Sequence, residues 1–123
     1  NGYPKNLKDL DKHKFITYGK GAPSPVYNPD WVLKLGAKEG KKRKSIMKVN
    51  SVYGLLLAVQ SGVGLAAIPD YIAHNVNNIT KVLPNETGKP TETHFVYPAS
   101  LKTNARLIAF RNFIFSKVGE WKF

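Results

Sequence analysis

Two short stretches bring together the residues best able to do chemistry. Asn50-Ser51 stands just ahead of a long apolar run, and Tyr18-Gly19-Lys20-Gly21 follows a β-rich segment. Ser and Asn in that position accept hydrogen bonds from the first N–H groups of a helix. The same hydroxyl and amide, beside N–H groups with no partner inside the helix, can hold a carboxylate or a phosphate. Tyr18, Gly19 and Lys20 would supply an aromatic wall, a pliant backbone and a cation. For Asn50 and Ser51 the residue types are equally those of plain helix caps, so both readings stand.

Other chemistries find little support. His13, His74 and His94 are isolated, with no His-x-x-x-His or His-Glu spacing for a metal. The absence of Cys excludes disulfides, thiol catalysis and cysteine metal sites. Ser51 and Ser61 lack the Gly-x-Ser-x-Gly elbow of hydrolases. Gly62-Val63-Gly64 precedes a strand pattern instead of following one, unlike a dinucleotide fingerprint. No enzyme activity, metal or cofactor is expected.

The elements that must hold the two stretches can be read from periodicity. Residues 15–18 are β-rich and stop at Gly19, and residues 31–35 and 45–49 read as further strands. Residues 51–61 read as a helix with Val52, Leu55, Leu56 and Val59 on one face; Tyr53 and Leu57 are apolar on the other. Gly62 sits where a left-handed C-cap is wanted, and residues 63–68 form a short buried strand closed by Pro69. A capped helix feeding a buried strand is the pattern of an α/β sheet, in which ligands collect at strand ends and helix N-termini. A short helix follows at 69–75, strands at 79–83 and 91–97, and a closing helix carries Leu107, Phe110, Ile114, Val118 and Trp121 at helical spacing.

The order of these pieces resembles the effector-binding domain of LysR-type transcriptional regulators. The resemblance rests on the Gly2-Tyr3-Pro4 opening with Asp9-Leu10 and His13, the Asp30-Trp31-Val32-Leu33 stretch, Asn50-Ser51 with Ser61-Gly62-Val63-Gly64, and Ile68-Pro69-Asp70-Tyr71. Lys81-Val82-Leu83-Pro84, Val96-Tyr97-Pro98 and the helix from 105 to 115 complete it. It implies an α/β, periplasmic-binding-protein-like (type 2) effector domain. Residues from about 10 to 90 would be its second subdomain, and 91–123 a return strand and helix packing on a first subdomain largely absent from the chain. By the same resemblance, Tyr18, Gly19, Lys20, Val49, Asn50, Ser51 and Val52 would contact a small-molecule effector, an anionic group being suited to the helix start. The implied protein is a cytoplasmic homodimer or higher oligomer that reaches DNA only through a helix-turn-helix domain not in this chain.

Composition bounds the alternatives. The chain has 123 residues, enough for one domain with a real core, and no window reaches the roughly 18 apolar residues of a membrane span. It starts at Asn1 and its only Met is Met47, which points to a trimmed product or a fragment. The closing helix then needs a covering surface: several wet apolar side chains would each forfeit about 1.5–3 kcal/mol. A second copy, or the missing segment, is expected to cover it. Nineteen Lys and Arg against eight Asp and Glu give a net charge of +11, concentrated at Lys38 and 41–44 with Lys48 beyond. A solvated loop explains that run, and a basic nucleic-acid-binding module is the alternative partner class. A periplasmic solute-binding protein fragment is the other alternative.

Overall fold

A computed structural model describes residues 2–19, 28 and 30–121. It divides into two compact units, Asn1–Thr91 and Glu92–Phe123.

The first unit is organised around β1 (Phe15–Tyr18), whose four residues are all buried. Strand alternation sends Ile16 and Tyr18 to one face and Phe15 to the other. Ile16 and Tyr18 pack with Leu55 and Ala58 of helix α1 (Val52–Gln60), with Val49, Val52, Val59, Val63 and Ala66 around them. Phe15 joins Leu10 and Leu33 on the opposite side, flanked by Leu7, Val32, Leu35, Leu65 and Leu83. A strand covered on both faces must be apolar throughout, which is why 15–18 shows no polar alternation.

Strand β2 (Ser45–Val49) pairs parallel to β1 with Tyr18 opposite Val49 and Thr17 opposite Lys48. The register slips near its start: Phe15 faces Ser45 but Ile16 faces Met47, so Ile46 is the extra residue of a bulge. The bulge puts Ser45 on the face of Thr17, where the buried Thr17 hydroxyl donates to Ser45 Oγ at 3.0 Å. Ser45 Oγ in turn lies 2.6 Å from the Met47 carbonyl oxygen. The buried Thr17 hydroxyl is thus satisfied inside the sheet.

On the other side of β1, Ile16 N–H donates to the Leu65 carbonyl at 2.9 Å and Leu65 N–H to the Lys14 carbonyl at 2.9 Å. The segment expected as a strand over 63–68 therefore touches the sheet at one bridge, Phe15–Leu65. Gly64 permits the approach, because a Cβ there would lie 2.5 Å from the Lys14 carbonyl oxygen. Between α1 and this segment, Val63 N–H donates to the Ala58 carbonyl and Gly62 N–H to the Val59 carbonyl, with Gly62 at φ 71°. That is the left-handed double-bonded helix ending expected at Gly62.

Three further expected strands are not strands. Trp31–Leu33 is a 3-10 helix, held by Leu33 N–H on the Asp30 carbonyl and Lys34 N–H on the Trp31 carbonyl. Its apolar residues reach the core by winding, with Leu33 buried and Gly36 reversing the chain at φ 62°. Residues 79–83 form no ladder; they are bracketed by Asn78 at φ 66° and Leu83 at φ 50°. A left-handed Leu costs about 1–2 kcal/mol, and packing of Leu83 against the second core cluster offsets it. Residues 91–97 likewise make no strand pairing among the described residues. Helix α2 (Asp70–Ala73) follows Pro69 as expected, only shorter.

The second unit is built on helix α3 (Ala105–Gly119), started by Asn104, whose side chain accepts from Arg106 N–H at 3.0 Å and Leu107 N–H at 3.2 Å. Phe95 packs on Tyr97, Phe110 and Phe115 with ring centroids 5.8, 6.0 and 6.4 Å apart. No residue of α3 is buried, and Phe110, Phe113, Phe115 and Val118 stay about half exposed.

Candidate functional site

Parallel pairing of β1 and β2 brings the two chemically equipped stretches together at the carboxyl ends of both strands. Gly19 N–H donates to the Val49 carbonyl at 2.7 Å and carries the ladder one residue past β1. The Tyr18 hydroxyl donates to the Asn50 carbonyl at 2.7 Å and ties the exit of β2 to the core. Tyr18 is 7% exposed, so its ring is part of the core and its hydroxyl fixes the turn into α1. The aromatic residue acts from below the site.

Ser51 is the N-cap of α1, in extended conformation, and its Oγ accepts from Gly54 N–H at 3.3 Å. The Ser51 carbonyl takes Leu55 N–H at 3.0 Å as the first helical bond. The cap uses a lone pair of the hydroxyl and leaves its proton free to donate. Asn50 and Ser51 are exposed, and Gly19, Val49 and Val52 are half-buried around them. N–H groups of the first turn project beside them at the positive end of the helix. Such an arrangement suits an anionic or carbonyl-bearing small molecule and contains no nucleophile–base pair. Of the expected contact residues, Tyr18, Gly19, Val49, Asn50, Ser51 and Val52 converge here; Lys20 lies outside the described residues.

One functional-looking residue escaped the sequence reading. Arg43, counted within a solvated basic run, keeps only 9% of its side chain exposed. Its Nε donates to Asp11 at 2.7 Å and its Nη1 to the Leu35 carbonyl at 2.6 Å, and its guanidinium lies 5.8 Å from the centroid of the Phe15 ring. Nη2 is buried without a partner. The one Arg among lysines was the available signal, since a planar guanidinium is the cation that packs on rings and forks to oxygens. Among the described residues, no group of three His, Cys, Asp or Glu is placed to hold a metal, and no helix is long and apolar enough to cross a membrane.

The family profile described as the LysR substrate binding domain matches residues 1–118. The chain belongs to the LysR substrate binding domain family. Among its relatives is a Haemophilus influenzae protein named as an uncharacterized HTH-type transcriptional regulator, 30% identical over 102 residues, or 80% of this chain and 34% of the relative. This LysR-family chain thus spans about a third of that relative's length. No solved structure matches it.

Proposed function

We propose that this chain is the ligand-sensing, dimerising part of a LysR-type transcriptional regulator: a small effector binds at the ends of β1 and β2 against the start of α1. The observation that carries the reading is the Gly19–Val49 hydrogen bond, which sets the capped helix start beside the end of β1. A parallel sheet offers ligands this position. Gly19, Asn50, Ser51 and Val52 contact the effector directly, Tyr18 and Val49 hold them in place, and Lys20 adds charge.

Family membership supports a wider frame. The family match supports a periplasmic-binding-protein-like type 2 fold; in this reading residues of about 10–90 form the second subdomain and 91–123 return to the first. The exposed aromatic side chains of α3 suit a covered surface, supplied by the first subdomain or by another copy in a dimer or higher oligomer. Effector binding favours one arrangement of the subunits and so alters how a helix-turn-helix domain elsewhere in the protein sits on DNA. The coupling is as large as the difference in effector affinity between the two arrangements. The protein works in the cytoplasm.

The test uses the full-length gene product and a panel of small carboxylates, read by thermal unfolding. A ligand at a hundred times its Kd stabilises by about 2.7 kcal/mol. Ser51→Asp keeps a good helix cap but sets a negative charge against the bound anion. The expected result is a parent-like melting point with the ligand-induced shift abolished. A shift that survives in Ser51→Asp and in Gly19→Val places the ligand elsewhere and overturns the reading.

A further inference from the structure

We infer that the turn before β2, together with β2 as far as Lys48, is a docking surface for the phosphate backbone of duplex DNA, distinct from the effector site that begins at Val49. The inference rests on the proposed regulatory role, which puts DNA in the same assembly. Residues 38–48 hold Lys38, Lys41, Lys42, Arg43, Lys44 and Lys48 against a single acid, Glu39. Lys42 is neutralised by Asp30 at 2.8 Å, and Arg43 is turned inward. Lys38, Lys41, Lys44 and Lys48 are exposed and make no ion pair among the described residues.

A run of lysines on a floppy loop is ordinarily just solvated, but here the backbone beneath it is fixed. Arg43 N–H donates to the Leu33 carbonyl at 3.0 Å, and Lys41 N–H closes a turn on the Lys38 carbonyl at 2.9 Å. The Arg43 side chain pins the same stretch to Asp11, Leu35 and the Phe15 ring. From Lys44 the chain enters β2, where Lys48 lies beyond the Ile46 bulge and opposite Thr17. Four ammonium groups, unpaired among the described residues, are thereby carried by a hydrogen-bonded stretch of backbone. No aromatic or base-reading side chain interleaves them, so the contact follows the backbone and carries no sequence preference.

The experiment measures binding of the full chain to a labelled duplex of arbitrary sequence by fluorescence anisotropy across 50–200 mM salt. Four phosphate contacts give a slope of log affinity on log salt of about −3.6, roughly a hundredfold loss over that range. Replacing Lys38, Lys41, Lys44 and Lys48 by Gln is expected to remove about 3 to 4 from the slope. A control with the same charge change, Gln at the exposed Lys5, Lys8, Lys14 and Lys102, is expected to keep most of the slope. Unfolding midpoints of both variants check that each is folded. Equal losses in the two variants mean diffuse charge attraction and overturn the inference, as does tighter binding to anionic vesicles than to duplex. Effector binding by full-length protein carrying the four Gln substitutions stays at the parent level, so this surface and the effector site fail or stand separately.

Discussion

Replacing Gly64 by Ala is expected to destabilise the first unit by about 1–2 kcal/mol. An added Cβ would meet the Lys14 carbonyl oxygen at 2.5 Å and the Lys14 carbonyl carbon at 3.0 Å. That is roughly 1 Å inside ordinary van der Waals contact of about 3.5 Å, and the obstacle is backbone, which cannot rotate away. Relief requires residues 63–65 to move off β1, stretching the two 2.9 Å hydrogen bonds that Leu65 makes with Lys14 and Ile16. Two such bonds contribute about 1–3 kcal/mol in net terms. Restricting the unfolded chain returns about 0.4–1 kcal/mol, since Gly64 does not occupy the left-handed region. Gly54→Ala is the matched control: it lies within α1, its added Cβ would come no nearer than 3.6 Å to Ser51 or Val49, and it should stabilise by about 0.5–1 kcal/mol. Urea unfolding with constant m reads both. A Gly64→Ala protein as stable as its parent, or a Gly54→Ala protein equally weakened, refutes the strand contact at Leu65.

Other substitutions probe the frame around the site. Tyr18→Phe removes the bond to the Asn50 carbonyl and should cost about 1 kcal/mol in urea unfolding, with effector affinity lowered through the displaced turn. Gly62→Ala meets no atom within 4 Å but forces a side chain into φ 71°, so about 1–2 kcal/mol is lost to conformation alone. Arg43→Lys should fail to restore the stability lost in Arg43→Ala, because an ammonium cannot fork to Asp11 and Leu35 while lying over Phe15. The Lys5 N–H bond, with help from Lys12, holds the Asp9 carboxyl below its ordinary 3.8. A lowered folded value stabilises above that pH and fades as pH falls through it. Unfolding midpoints of parent and Asp9→Asn should therefore differ at neutral pH and converge in acid.

What the sequence made legible was local. The β1 run, the Ser51 cap, α1 and the Gly62 ending each follow from neighbours within a few residues, and the structure keeps all four. The misses are non-local. Residues 31–35 and 79–83 have strand-like composition, but a strand exists only with a partner, and Asn28, Asn78 and Leu83 turn the backbone away first. The Ile46 bulge decides which face Ser45 and Lys48 occupy, and no periodicity announces it. At the candidate site, Asn50 and Ser51 were readable as helix-start residues. Tyr18 as a buried brace was not, because an aromatic beside a Gly looks the same whether it lines a ligand or the core.

The most direct measurement is amide chemical-shift mapping of the full-length protein as a small carboxylate effector is titrated in. The expected result is saturable shifts centred on the N–H groups of Gly19, Ser51, Val52 and Tyr53, absent in Ser51→Asp. Shifts centred anywhere else in the domain, with these four unmoved, would contradict it.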